Sequence, residues 1–464
     1  MNVFVKEIPS VKQPDPNKPF LVVLGAGESG VGAALLAKQR GYQVFVSDMG
    51  QIKDIYKREL LEKSIQFEEG THSESYILEK AGLVIKSPGI PDKAPLVKAL
   101  KEKGIEIIDE IEFAAQFSNA KIIAVTGSNG KTTTTRLIYH IMQTAGFDVG
   151  LAGNVGFSLA KQVAEGDRAY YALEISSFQL DGCKKFRPYI GILTNITPDH
   201  LDRYEYKLEN YIASKFRIAQ NKQPLDLFIY NAEDENIANG FGQFWKQSGM
   251  EACLAVSMSA LANDADFLEV EHSDFKIKKS ELTIQGWHNR FNISCAVLAA
   301  KKLGIDNELI AKALRTFVNE AHRLESVAMI NGVEYINDSK ATNVDSVFYA
   351  LEAMTKPVVW IVGGVDKGND YSPLFQLVEQ KVKAVICMGK DNSKILEAFK
   401  NRVEVIVETG SMQEALKAAS LYASEGDVVL LSPACASFDL FNNYQHRGNV
   451  FKEIVSSAVV ETHK

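Results

Sequence analysis

Cysteine is sparse and dispersed. Cys183, Cys253, Cys295, Cys387 and Cys435 form no CxxC pair and no even framework, which speaks against a disulfide scaffold and a thiolate zinc site and fits a reducing compartment. No apolar run approaches the roughly 18 residues of a membrane-spanning helix, so membrane insertion is not expected. The start, M-N-V-F-V-K-E-I-P-S, has no signal-peptide core, and the expected location is the cytoplasm. Basic clusters are also missing. With 51 Lys+Arg against 58 Asp+Glu the net charge is −7, which argues against a nucleic-acid partner. Tandem repeats and low-complexity tracts are absent as well. What is present is 464 residues, 46 % of them apolar, enough for about three domains with large cores.

The proline-dense stretch 9–19 predicts a loose tail. Phe20–Leu24 then reads as a short strand, followed by Gly25-Ala26-Gly27-Glu28-Ser29-Gly30 and a helix over Val31–Arg40. Gln43–Val46 makes the next strand and delivers Asp48. A G-x-G-x-x-G turn in a βαβ unit with an acid after the second strand is the dinucleotide fingerprint, although such glycines also serve helix–strand packing alone. Leu83–Ile85 leads to Ser87-Pro88-Gly89-Ile90, a turn at a sheet edge, and Asp109–Phe117 reads as a helix.

The centre of the chain is Ala124–Arg136, A-V-T-G-S-N-G-K-T-T-T-T-R. Lys121–Val125 should be a strand, with a tight loop holding Gly127, Ser128, Asn129 and Gly130, and a helix opening at Lys131-Thr132-Thr133. Backbone N–H groups of such a loop close on phosphate oxygens, the lysine adds a point charge, and Thr132 offers a hydroxyl to Mg²⁺. Val125 stands where the usual first glycine would be, and a plain turn with a helix cap is the alternative. Gly150–Gly156, which includes Asn154, reads as a glycine-rich turn. The strand Ala169–Leu173 delivers Glu174, placed as a Mg²⁺ ligand would be. The strand Ile190–Leu193 runs into Thr194–Asp202, with Asp199, His200 and Asp202 at the same sheet edge. Tyr211–Ile218 reads as a helix with Lys215 and Arg217 on its solvated face. Asn289 and Asn292 share a face before the helix Ile293–Leu303, where they cap it or reach a nucleotide.

Thr316–His322 reads as a hinge into a third unit. There, a hairpin is expected at Asn331-Gly332 and a strand over Val333–Ile336. Asn337–Asn343, N-D-S-K-A-T-N, is more polar than a cap requires, and a helix follows over Val344–Met354. Strands over Val358–Val362, Ala384–Met388, Val403–Val407 and Val428–Leu431 complete an α/β pattern. Two of them end in Gly363–Gly368, with Lys367, and in Ser432–Asp439. Polar residues thus gather after strands, where open α/β sheets hold ligands.

With T-G-S-N-G-K-T-T, L-E-I-S-S-F-Q-L, T-P-D-H-L-D-R-Y, N-D-S-K-A-T-N and S-P-A-C-A-S-F-D in this order, the chain resembles the Mur ligase family from Leu24 to about Phe451. G-A-G-E-S-G with S-P-G-I, G-G-V-D-K-G and the run through Q-H-R-G are similar to its D-glutamate-adding members, and the D-N-P-R of the diaminopimelate-adding ones is missing. The resemblance implies an α/β fold in three domains. These are a Rossmann-like N-terminal domain (1–118), a central P-loop ATPase-type domain (119–320) and a C-terminal Rossmann-like domain (321–464) that closes on the other two. It implies an ATP-dependent ligase, acting as a monomer, that joins D-glutamate to UDP-N-acetylmuramoyl-L-alanine.

Residue roles follow from the resemblance. Glu28, Ser29, Asp48, Gly89, Asn154 and His200 would face the UDP substrate, although Met49 and Gly50 depart from the Thr-Arg found after the acid in some members. Gly127–Thr133 would hold the ATP phosphates, with Asn289, Asn292, Arg323, Asp338 and Lys340 on the nucleotide. Thr132, Glu174, His200 and Lys215 would serve paired Mg²⁺ ions, Lys215 as N6-carboxylysine, and Lys131, His200 and Lys215 would be catalytic. Thr342, Lys367, Ser437 and Phe438 would surround D-glutamate. Two other readings stay open on the residues alone. One is an NAD-dependent oxidoreductase built on Gly25–Gly30, which leaves Lys131-Thr132 and Asn337–Asn343 unexplained, and the other is a non-catalytic nucleotide-gated binding protein.

Overall fold

The computed structural model describes residues 15–244, 252–259 and 266–462. The start of the chain and residues 9–14 of the predicted tail lie outside the described residues. The rest of that tail is tied down, with Asp15 N donating to Gly41 O at 2.8 Å. No described helix is long and apolar enough to cross a membrane. The chain divides into two compact units, 1–277 with 292–314, and 278–291 with 315–464. The boundary between 314 and 315 falls just before the predicted hinge.

The first unit holds two parallel sheets. One has β1 (Leu21–Leu24), β2 (Val44–Asp48), β3 (Gln66–Glu69), β4 (Leu83–Lys86) and β5 (Glu106–Ile108) in the order β3-β2-β1-β4-β5. β1, L-V-V-L, is wholly buried, as a parallel strand covered on both faces should be. The order reverses between β1 and β4, so the loops after these two strands flank a crevice. Gly25, at φ +93°, sits at that point, where an added Cβ would come within 2.5 Å of Ser87 Oγ.

The second sheet has β6 (Lys121–Thr126), β7 (Val149–Gly153), β8 (Tyr170–Glu174), β9 (Ile190–Leu193), β10 (Leu227–Asn231) and β11 (Cys253–Val256), ordered β11-β10-β9-β6-β8-β7. β6 therefore lies between β8 and β9, and the loop after it emerges beside Glu174 and Thr194. The predicted glycine-rich turn at 150–156 is in fact largely strand β7. A Cβ on Gly150 would approach the Tyr171 ring to 2.6 Å, so the glycine permits close packing rather than a turn. A small pair, β12 (Phe267–Glu269) and β13 (Lys276–Lys278), follows.

The sheet of the second unit has β14 (Glu325–Ile330), β15 (Val333–Asn337), β16 (Val358–Val362), β17 (Val382–Met388), β18 (Val405–Thr409) and β19 (Val428–Leu431), ordered β14-β15-β19-β16-β17-β18. Only β14–β15 is antiparallel, and it turns at Asn331 (φ +49°) and Gly332 (φ +76°), both left-handed as a tight hairpin requires. β15, β19 and β16 are neighbours, so the three polar loops that follow them open at one edge. Trp360, fully buried in β16, donates its indole N–H to Ser432 O at 2.8 Å. One apolar cluster runs through both sheets of the first unit, from Leu21 and Val46 to Ala124 and Leu173, and the sheet of the second unit carries a cluster on each face, around Trp360 and around Ile361.

Candidate active site

The loop after β6 is a tight turn shaped by two glycines. Gly127 (φ +148°) has no room for a side chain, since a Cβ would meet Thr194 Oγ1 at 1.9 Å. Gly130 (φ +82°) caps the helix Lys131–Thr144, and its Cβ would meet Asn292 Oδ1 at 2.5 Å. These are positions only glycine fills without strain. The loop is pinned from β9's end: Asn129 N donates to Asn195 Oδ1 (2.8 Å), and Thr194 Oγ1 donates to Asn129 O (2.6 Å). Ser128 Oγ donates to Thr197 O and accepts from Thr197 N, both at 2.9 Å. Asn195 thus matters to the loop although sequence reasoning assigned it nothing; its position just after a strand was the available signal.

Lys131 Nζ donates to Gly127 O and Ser128 O, both at 2.8 Å. Lys215 Nζ donates to the same Gly127 O at 2.7 Å. This corrects the expected solvated face of the helix, which spans Leu208–Phe216: Lys215 is 1 % exposed, and only Arg217 faces outward, 3.8 Å from Asp181. Burial, reinforced by the Lys131 charge, holds the Lys215 amine well below the usual lysine range. A cation with one carbonyl partner and a second cation beside it loses its proton most readily.

Glu174 ends β8 opposite Val125 of β6. It is buried, and its Oε2 has no hydrogen-bond partner among the described residues, while Oε1 faces Asn154 Nδ2 at 3.4 Å. A buried orphan carboxylate oxygen near the loop, with the buried Thr132 at the helix start, suits a hard divalent cation. His200 takes a left-handed backbone (φ +53°) and packs edge-on against Phe178 at 5.2 Å. Asn292 Oδ1 accepts from Thr134 Oγ1 at 3.1 Å, which places it at the loop. The helix carrying it starts at Trp287, so neither Asn289 nor Asn292 caps it; Asn289 Nδ2 instead donates to Gln285 O at 2.7 Å.

In the first sheet, Asp48 Oδ2 accepts from Ala26 N (2.6 Å) and Oδ1 from Gly50 N (2.7 Å), which fixes the glycine-rich turn against β2. Glu28 Oε1 accepts from Ser158 N at 2.9 Å, Ser29 is half-buried and Gly89 is exposed. The turn holding Gly89 is tied to the His200 loop through Arg203 Nη2 and Pro88 O (3.0 Å).

In the second unit, Asp338 is buried between Ser432 Oγ (2.8 Å) and Leu324 N (3.2 Å), and desolvation pushes its carboxyl up to about 7. Lys340 pairs with Glu320. Arg323 lies close enough to His288 for its charge, after burial, to hold that imidazole down at about 4. Val365 and Ala436 pair across two loops, through Val365 N to Ala436 O (2.8 Å) and Ala436 N to Val365 O (3.1 Å). This brings the Lys367 loop beside Ser437, which is buried, and Phe438, which is exposed. Thr342 is half-buried after β15.

An α/β chain with three main sheets, a glycine-rich loop between β6 and a helix, and polar residues gathered after its strands defines a class that similar proteins name. Models described as the Mur ligase MurD-like N-terminal domain, the Mur ligase middle domain and the Mur ligase glutamate ligase domain match residues 20–109, 125–300 and 322–435. The chain belongs to the Mur ligase family. It is similar to the UDP-N-acetylmuramoylalanine–D-glutamate ligases of Christiangramia forsetii, 52 % identical over 94 % of this chain and 98 % of that protein, and of Porphyromonas gingivalis, 50 % over 95 % and 99 %. In fold it resembles the UDP-N-acetylmuramate-alanine ligase MurC of Thermotoga maritima, with TM-score 0.60 and 18 % identity over 95 % of this chain and 99 % of that one. The MurF ligase of the same organism, solved with ADP, gives 0.58 and 13 % over 97 % and 96 %.

Proposed function

We propose that this protein is an ATP-dependent ligase that joins the amine of D-glutamate to the carboxylate of UDP-N-acetylmuramoyl-L-alanine, releasing ADP and phosphate, as a cytoplasmic monomer in peptidoglycan precursor synthesis. The observation that carries the reading is the pair Lys131 and Lys215 on one loop carbonyl, in a chain about half identical to such ligases along nearly its whole length. The division of labour follows the expected domains: UDP substrate on 1–118, ATP on 119–320 and amino acid on 321–464.

A carboxylate does not condense with an amine in water, because oxide is too poor a leaving group. Phosphorylation by the γ-phosphoryl of ATP gives an acyl phosphate; the D-glutamate nitrogen then attacks the carbonyl carbon, the tetrahedral adduct expels phosphate, and the ammonium proton is lost to solvent. The loop Gly127–Thr133 holds the triphosphate through backbone N–H groups, and Lys131 neutralises charge on the transferring group. Asn289, Asn292, Arg323, Asp338 and Lys340 hold the nucleotide. Glu28, Ser29, Asp48, Gly89, Asn154 and His200 hold the UDP substrate. Lys367, a cation, suits a dicarboxylate, with Thr342, Ser437 and Phe438 around it. Thr132, Glu174, His200 and Lys215 would hold Mg²⁺, which supplies electrostatic stabilisation of the transferring phosphoryl charge. Lys215 is suited to carbamate formation: its neutral amine adds to the carbon of CO₂, the nitrogen loses a proton, and a cation becomes a carboxylate ligand. The lowered amine pKa supports that step, since an ammonium has no lone pair to give.

The test is release of ADP and phosphate by purified protein, expected only with UDP-N-acetylmuramoyl-L-alanine and D-glutamate together. Release equally fast with L-glutamate or meso-diaminopimelate overturns the specificity.

A further inference from the structure

The C-terminal motif ends in His446-Arg447-Gly448, which no role above absorbs. Arg447 lies in the first turn of the helix Tyr444–Thr462 and is 1 % exposed. Its guanidinium makes five hydrogen bonds, all to carbonyl or hydroxyl oxygens. Nε donates to Ser339 Oγ (3.0 Å), Nη1 to Cys435 O (3.2 Å) and Gly363 O (3.4 Å), and Nη2 to Ser339 O (2.9 Å) and Cys435 O (3.2 Å).

Those oxygens belong to three loops. Ser339 stands in Asn337–Asn343 after β15, Gly363 opens the Lys367 loop after β16, and Cys435 precedes Ser437 after β19. Every loop carrying a residue assigned to D-glutamate is therefore bonded to one side chain. The helix start reinforces the attachment: Ser339 Oγ donates to Tyr444 O (2.9 Å), and Asn337 Nδ2 to Gly448 O (3.3 Å). Gly448 must be glycine, since a Cβ would come within 2.2 Å of His322 Nδ1.

Burying a guanidinium without a carboxylate in direct contact is costly, and burial draws its pKa down to about 10, so it stays cationic at neutral pH. Apolar side chains would fill the space more cheaply. What only the planar five-donor fork does is bind several backbone oxygens in fixed directions at once. We propose that Arg447 is the positioning residue of the amino-acid site, setting the mutual spacing of Thr342, Lys367 and Ser437 without touching substrate. The inference rests on the ligase reading above.

The experiment compares wild type with R447K, which keeps charge and loses the fork. Wild-type turnover with D-glutamate tests the ligase reading by itself; only when it is present does the variant test the inference. R447K is expected to raise KM for D-glutamate about tenfold or more, because loosened loops lose binding geometry, while its calorimetric Kd for UDP-N-acetylmuramoyl-L-alanine stays within about twofold. A merely structural role reduces the folded fraction and lowers kcat at unchanged KM, and that result overturns the proposal, as do wild-type constants. If R447K does not fold, S339A, which removes the Oγ that accepts from Arg447 Nε and donates to Tyr444 O, carries the same expectation at about threefold. An S339A enzyme with wild-type KM for D-glutamate then overturns it.

Discussion

Lys131 and Lys215 both donate to Gly127 O, at 2.8 and 2.7 Å, yet the proposed function gives them opposite tasks. Lys131 is half-buried at the loop, where the proposed function puts phosphate. Lys215, sealed beneath it, is the one pushed toward the neutral amine. Two predictions follow from that split. Lys131→Ala should cut ADP release on the order of 10²–10³-fold and weaken ATP binding, because charge stabilisation at a transferring group is worth that much; retained turnover would rule out the phosphate-loop role. Lys215→Ala should be comparably inactive but regain activity with added short carboxylic acids, which supply the missing carboxylate. Absence of rescue at any concentration counts against a carbamate. Sequence spacing put Lys215 on a helix but not beneath a loop, since that burial comes from Tyr211, 4.4 Å away, and from a carbonyl 88 positions earlier.

The helix Glu110–Ala115 illustrates an element whose purpose is set by what it meets. Asp109 caps it, accepting from Ile111 N at 2.9 Å, and Glu110 Oε1 accepts from Ala160 N (2.5 Å) and Ser158 Oγ (2.7 Å) at the start of the helix Leu159–Glu165. Desolvation, the largest influence, raises the Glu110 carboxyl from 4.5 to about 7. The folded protein then keeps a proton that the unfolded chain releases between these values. Its stabilising contribution is complete below pH 4.5 and is lost as pH rises through 7. Glu110→Gln should therefore gain stability relative to wild type across that window, by on the order of 3 kcal/mol at the top. Parallel melting curves for both proteins from pH 4.5 to 8 would sink the assignment. A second element, the β6–helix loop, depends on a glycine. Gly127→Ala must displace Thr194, 1.9 Å from the new Cβ, and should cost about 2 kcal/mol or more in melting experiments while abolishing ATP binding. Unchanged nucleotide affinity would contradict the cradle.

Two compact units are expected to unfold as two transitions in calorimetry, with UDP-N-acetylmuramoyl-L-alanine raising only the one that belongs to the unit containing β1–β11. A single transition, or one shifted whole by that ligand, would overturn that expectation. Much of the architecture was legible in the chain beforehand. Ile190–Leu193, Val358–Val362 and Val428–Leu431 are strands over the residues read from pattern, because continuous apolar runs bounded by glycine, proline or polar clusters fit a strand covered on both faces. The glycine-rich loop after β6 was legible for the same local reason, as positive φ at Gly127 and Gly130 is a property of the residue itself. The order β15-β19-β16, the depth of Lys215 and the reach of Arg447 across three loops were not. Those facts depend on which strands pair and which side chains lose water, and such contacts join residues about a hundred positions apart, beyond any period a sequence displays.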